Sequence, residues 1–128
     1  MYTYLVSASN NRILSFKYAF EGIKESLKEE PNLKIHLLAG FLVILLGFLF
    51  QLSKLEWATI IILTGLVISV ELTNTAVEAV VDSFVDREHP RAKLAKDISA
   101  GAVLVVAITA TVVGTLVFLP HILKLFFI

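Results

Sequence analysis

Polar and apolar positions along this chain fall into long blocks. The first apolar block runs from about Leu33 to Leu52, and Leu37 to Phe50 is free of charge. The second starts near Trp57 and reaches Val70 before acidic residues enter it. The third, Ile98 to Leu119, has no charged residue. A helix needs about 20 apolar residues to cross a bilayer, because each adds about 1.5 Å against a hydrocarbon layer of about 30 Å. The third block meets that length and the first just does. The second does so only if its acidic face is turned towards protein. The third block is rich in β-branched residues, but its uninterrupted length favours a spanning helix over strands. Transmembrane helices are therefore expected at about 33–52, 57–82 and 97–119.

Ahead of the first block the period changes. Ile13, Phe16, Phe20, Ile23 and Leu27 recur at intervals of three and four, with Lys17, Glu21, Lys24, Glu25 and Lys28 between them. This predicts an amphipathic helix over about residues 10–30, with Ser9, Asn10 or Asn11 as its cap. With a span following closely, the helix is expected to lie on the bilayer surface. A helix packed on a soluble partner is the alternative. Pro31 and Asn32 break the pattern and turn the chain into the first span. The expected fold is all-α: a single membrane domain over 1–128, with an N-terminal amphipathic surface helix and three transmembrane helices.

Composition agrees. Hydrophobic residues make up 57% of the chain and mean hydropathy is +0.84, well above an ordinary soluble domain. Eleven basic and eleven acidic residues cancel, so no basic excess points to nucleic acid and none is expected as a partner. The lack of cysteine excludes disulfides and thiolate metal sites. Met1 to Val6 has neither a basic n-region nor a long apolar core, so no cleaved signal peptide is expected. The basic residues set an orientation. Arg12, Lys17, Lys24, Lys28 and Lys34 precede the first span, and Arg87, Arg91, Lys93 and Lys96 lie between the second and third. Only Lys54 lies between the first two spans. The positive-inside rule puts the N-terminus and the second loop in the cytoplasm. Trp57 then sits where an outer interfacial aromatic belongs.

The second span carries the candidate chemistry. Glu71, Asn74, Glu78 and Asp82 are three or four positions apart and share one side of a helix. An ionised side chain in hydrocarbon costs about 2.5–3.5 kcal/mol even on the lenient insertion scale. Such a row implies a metal, a proton relay, a partner charge or a reaction. Glu71 to Asp82 spans roughly 16 Å, so either Glu71 lies well inside the bilayer or the helix projects into the cytoplasm; the intermediate case, with Glu71 below the headgroups and Glu78 near the surface, is the expectation. Glu78, with Glu30 from the edge of the first span, could hold a hard cation such as Mg²⁺, which takes one or two carboxylates plus phosphates. Glu71 could accept a hydroxyl proton. Lys96 and Asp97 add a phosphate-binding cation and another acid. Simpler readings exist: Glu78 and Asp82 paired with Lys or Arg of the second loop, Asn74 as a helix–helix hydrogen bond, His36 as an interfacial residue, and His89-Pro90 as a turn. Gly40, Gly47, Gly65, Gly101 and Gly114 read as close-packing or kink sites.

The segment Glu71-Leu-Thr-Asn74-Thr-Ala-Val-Glu78-Ala-Val-Val-Asp82 resembles the ExxNxAxExxxD core of the bacterial integral-membrane diacylglycerol kinase/undecaprenol kinase family. Ala95-Lys96-Asp97-Ile98-Ser99-Ala100-Gly101 resembles that family's segment opening the last span. The likeness covers nearly the whole chain. It implies an ATP-dependent lipid kinase, and no G-x-x-x-x-G-K-[ST] loop or kinase catalytic-loop motif occurs here. It implies Glu71 as catalytic base and Glu30 and Glu78 as ligands for the Mg²⁺ of Mg·ATP. Asn74 would lie beside the transferred phosphate. Lys96, Asp97 and Tyr18 would contact the nucleotide, bordered by Arg87, Glu88 and His89. A family arginine aligns at or beside Asn11, and Arg12 takes its role with a one-residue shift. The family forms homotrimers with sites shared between subunits, in the bacterial cytoplasmic membrane, with the active site on the cytoplasmic side. Asn32-Leu33-Lys34-Ile35-His36 and the His89-Pro90 to Asp97 stretch look most like the undecaprenol-kinase branch. The acceptor is thus expected to be undecaprenol, with diacylglycerol as the alternative.

Two other classes compete. A small proton-coupled transporter would use Glu71 or Glu78 as its carrier, but Trp57 to Val70 offers no ionisable group for access from the other face. A purely structural membrane subunit would tolerate Glu71→Gln.

Overall fold

Pro31 sets the first corner. The residue before a proline is pushed out of the α region, and Glu30 is extended, at φ −98° and ψ 110°. In the computed structural model, which describes residues 12–84 and 89–127, α1 (Arg12–Glu29) stops there. Pro31 then opens α2 (Pro31–Leu49), at a position where the missing N–H leaves no hydrogen bond unmade. The cap candidates Ser9, Asn10 and Asn11 lie outside the described residues.

The second corner is built by two local motifs in sequence. Leu52 N–H donates to Gly47 O at 3.1 Å and Gln51 N–H to Phe48 O at 3.3 Å, which completes a Schellman stop on α2. Gln51 takes the left-handed conformation, φ 52°, where glycine is the usual residue. Ser53 and Glu56 then form a reciprocal capping box. Ser53 N–H donates to Glu56 Oε2 at 2.7 Å, and Glu56 N–H to Ser53 Oγ at 3.4 Å. Helix α3 (Lys54–Phe84) therefore starts three residues before the apolar block. The second oxygen of Glu56 meets His121 Nε2 at 2.9 Å and ties this corner to α4 (Pro90–Phe127). Leu52, Ile60 and Phe118 close a small buried cluster beneath it.

At 1.5 Å per residue α3 is about 46 Å long and α4 about 57 Å, against a hydrocarbon layer of about 30 Å. The polar stretches beyond the apolar blocks are thus helical extensions. Helices α2, α3 and α4 are each long and apolar enough to cross a membrane. Phe41, Leu45, Phe48, Leu104, Ile108 and Leu116 stand exposed on their outer faces. So much contiguous apolar surface is unsustainable in water, and the chain is an all-helical membrane protein.

Helix α3 is the middle of the bundle and packs on both α2 and α4. Its buried residues, Ile60, Val67, Glu71 and Asn74, lie on one face. Two glycines on α2 let it approach. A Cβ at Gly40 would stand 2.7 Å from Thr64 Cγ2, and one at Gly47 2.8 Å from Trp57 Cη2. Gly65, Gly101 and Gly114 have open space where a Cβ would sit, so the close-packing reading holds within the chain only for Gly40 and Gly47. Helix α1 touches α2 and α3. Its Phe16, Tyr18, Phe20 and Ile23 are exposed. Lys28 lies 2.7 Å from Glu25 and holds that carboxyl below its ordinary range by hydrogen bonding and charge.

Candidate active site

The buried face of α3 changes character along its length. Ile60, Thr64 and Val67 line a cavity of about 370 Å³ between α2, α3 and α4. Gly40 and His36 of α2 and Ala107, Thr111 and Gly114 of α4 complete much of its wall. One turn past Val67 the same face presents Glu71, then Asn74, then Glu78. The groove thus runs directly into the acidic stripe.

Glu71 is 1% exposed, and among the described residues its Oε2 has no hydrogen-bond partner. A buried polar atom left unpartnered costs about 1–3 kcal/mol, so it marks a place reserved for a donor. His36, Glu30 and Glu78 are the titratable side chains nearest in influence to this carboxyl. His36 is half-buried and lines the groove.

Beyond Glu71 the polar groups are bound into a chain. Asn74, 7% exposed, donates from Nδ2 to Glu78 Oε1 at 3.0 Å. Ser99 Oγ of α4 donates to Asn74 Oδ1 at 2.6 Å. Asn74 is thus a helix–helix contact as well as a neighbour of Glu78. Lys96 Nζ grips both oxygens of Asp82, at 2.9 and 3.0 Å. Asp82 therefore pairs with a basic residue of α4, and Lys96 also feels Glu78 and Glu30.

Glu30 reaches the cluster from the α1–α2 corner. It occupies the N-cap position of α2 but makes no side-chain cap bond there. Among the described residues no three His, Asp or Glu side chains form a ready-made cation cage. Mg²⁺ needs no such cage, since it is held by one or two carboxylates and completes its shell with phosphates and water. Glu30 and Glu78 fit that donor set.

Glu30, Glu71, Asn74, Glu78 and Lys96 are thus gathered at one end of the bundle. Tyr18 and Asp97 are exposed on α1 and α4. Arg12 opens α1, and Arg87 and Glu88 lie outside the described residues. His89 caps α4: its Nδ1 accepts from Arg91 N–H at 3.2 Å and its carbonyl from Lys93 N–H at 3.0 Å. Ser99 was not among the candidate residues. Its signal was its spacing, one turn after Lys96 on the same face.

Residues 17–118 match the family model described as prokaryotic diacylglycerol kinase. The undecaprenol kinase of Bacillus subtilis is 45% identical over 111 residues, which cover 87% of this chain and 90% of that protein. The diacylglycerol kinase of Synechocystis is 40% identical over 116 residues, 90% of this chain and 66% of that longer protein. The diacylglycerol kinase of Haemophilus influenzae is 30% identical over 102 residues, 80% of this chain and 86% of that protein.

Proposed function

The chain belongs to the prokaryotic diacylglycerol kinase family, and we propose that it transfers the γ-phosphate of ATP to undecaprenol, giving undecaprenyl phosphate. The observation that carries this reading is Glu71: a buried carboxyl with an oxygen unpartnered among the described residues, set between an apolar groove and a cluster of carboxylates with Lys96 that could meet phosphate through a cation. Family membership sets aside the transporter and the structural subunit.

In this reading the hydrocarbon of the acceptor occupies the groove and its hydroxyl reaches Glu71. Glu71 takes the hydroxyl proton as the lipid oxygen bonds to the γ-phosphorus, and the bond from that phosphorus to the β-phosphate bridging oxygen breaks. Phosphoryl transfer rests mainly on positioning and charge neutralisation. Glu30 and Glu78 hold Mg²⁺, which when bound neutralises phosphate charge. Lys96 adds a second cation, and Asn74 stands between Glu71 and Glu78, beside the phosphoryl group in transit. Arg12, Tyr18, Asp97 and the stretch Arg87, Glu88 and His89 border the nucleotide. Exposed Tyr18 and Asp97 suit a homotrimer in which a neighbouring subunit completes the site. The distribution of Lys and Arg supports a cytoplasmic active site, with α1 on the inner membrane surface.

The choice of acceptor is supported by the groove. His36, Thr64 and Thr111 are its polar lining residues, and the Thr111 hydroxyl already donates to Ala107 O at 2.8 Å. That wall suits an ester-free hydrocarbon better than a glycerolipid with two carbonyls needing donors. The Bacillus relative, named for undecaprenol, points the same way. Diacylglycerol, named for the other two relatives, is the second reading. The test offers undecaprenol and diacylglycerol side by side in mixed micelles with Mg·ATP. Undecaprenol is expected to be phosphorylated with at least tenfold higher kcat/KM. Preference for diacylglycerol reverses the acceptor, and no transfer to either lipid refutes the kinase.

A further inference from the structure

Glu78 can grip a cation only if its carboxylate is held in place, and the hydrogen bond from Asn74 does so only in one orientation of the amide. An amide side chain can turn over with little change in shape, exchanging a donor for an acceptor. We propose that Ser99 is a positioning residue that fixes the Asn74 amide, keeping its NH₂ on Glu78 Oε1 and leaving the second Glu78 oxygen to the cation.

A serine hydroxyl has one proton to give. Ser99 Oγ has two acceptors in reach, Asn74 Oδ1 at 2.6 Å and Lys96 O at 2.9 Å. If the proton goes to Asn74, the amide NH₂ faces Glu78 at 3.0 Å and every group meets its complement. If it goes to Lys96 O, the amide turns over. Its NH₂ then donates to Ser99, and its oxygen faces a carboxylate oxygen, acceptor against acceptor. The shorter contact selects the first arrangement. Asn74 is 7% exposed, so little water is available to replace the hydroxyl. The Asp82–Lys96 pair also joins α3 to α4 near this contact.

This inference rests on the kinase reading for the cation's identity, and its test separates the two. Mn²⁺ serves as a paramagnetic probe, titrated by electron spin resonance into purified protein holding a non-hydrolysable ATP analogue. The proteins compared are the parent, Ser99→Ala and Ser99→Thr. Outer-shell partners of metal ligands are commonly worth 10–100-fold in affinity. Ser99→Ala is expected to weaken Mn²⁺ binding about tenfold, the lower end of that range. Its Mg²⁺ midpoint for turnover should rise in parallel, while kcat at saturating Mg²⁺ and KM for the lipid stay near the parent values. Ser99→Thr keeps a hydroxyl and should restore binding. Equal Mn²⁺ affinity in the parent and Ser99→Ala overturns the role of Ser99 and leaves the kinase intact. Loss of binding in Ser99→Ala and Ser99→Thr alike, with parental unfolding temperatures, also overturns it, because the hydroxyl would then not be the cause. A parent that binds Mn²⁺ with the nucleotide but transfers no phosphate refutes the kinase reading instead.

Discussion

Replacing Glu71 by Gln should separate activity from stability, in opposite directions. The substitution keeps shape and volume and exchanges one carboxyl oxygen for an amide NH₂. In the parent that carboxyl is 1% exposed and one of its oxygens has no partner. Burying an unpaired carboxylate costs several kcal/mol, whereas an unpartnered amide group costs about 1–3 kcal/mol. The variant is therefore expected to fold at least as stably as the parent, with a gain on the order of 1 kcal/mol, the difference between those two penalties. In a chain of this size that is roughly 4 °C in unfolding temperature. Turnover moves the other way: a lost general base is worth about 10²–10⁴-fold, and a hundredfold loss is about 2.7 kcal/mol of barrier. Both quantities can be read on one detergent-solubilised preparation. Trp57, the single tryptophan, packs 4.8 Å from Phe48 between ring centroids and reports unfolding by fluorescence, and a coupled ADP assay reports turnover. A variant that retains turnover within tenfold of the parent removes Glu71 from the chemistry. One that unfolds several degrees earlier shows that the carboxyl is a structural partner and was never held in reserve.

Glu30→Ala and Glu78→Ala should each raise the Mg²⁺ midpoint for turnover at least tenfold, the scale of a lost or disordered ligand; unchanged metal titrations remove them as ligands. Gly47→Ala would bring a Cβ to 2.8, 3.0 and 3.2 Å from three atoms of the Trp57 ring. Overpacking of this kind costs about 1–3 kcal/mol, so the unfolding temperature should fall by roughly 4–12 °C. Gly65→Ala, where nothing stands within 4 Å, is the control and should not destabilise; equal behaviour of the two variants contradicts the packing at Gly47.

The four helices were legible in the sequence because their signals are long and local. Twenty apolar residues, a three-four period and a proline after a charged stretch each specify a helix or its end without tertiary information. The early start of α3 was legible too, in Ser53-x-x-Glu56, but that signature lies in polar residues ahead of the apolar block. Glu71, Asn74 and Glu78 could be placed on one face because helical spacing is rigid. The partners of that face could not. That Ser99 of α4 meets Asn74, and that His36 comes near Glu71, depend on the crossing of α3 with its neighbours. The crossing is set partly by Gly40 and Gly47, whose missing side chains a sequence does not distinguish from those at Gly65 or Gly114.

The order of residues on α3 constrains how such a reaction can be laid out. Val67 closes the groove, and Glu71 follows by about 6 Å of helix rise, Asn74 by a further 4.5 Å and Glu78 by a further 6 Å, from about 1.5 Å per residue. In the proposed reading a lipid chain lying in the groove would bring its hydroxyl to the level of Glu71, well short of Glu78. A cation at Glu78 would hold its phosphates on the far side of Asn74. The gap of roughly 10 Å between the two acids is too wide for one atom and suits a hydroxyl, a phosphoryl group and a cation in line. In the proposed reading a single helix face would separate the base from the metal by the length of the group to be moved. Neither the transporter nor a structural subunit has a use for that separation: a proton carrier needs acids within hydrogen-bond reach of one another or of water, and a packing contact needs no unpartnered oxygen.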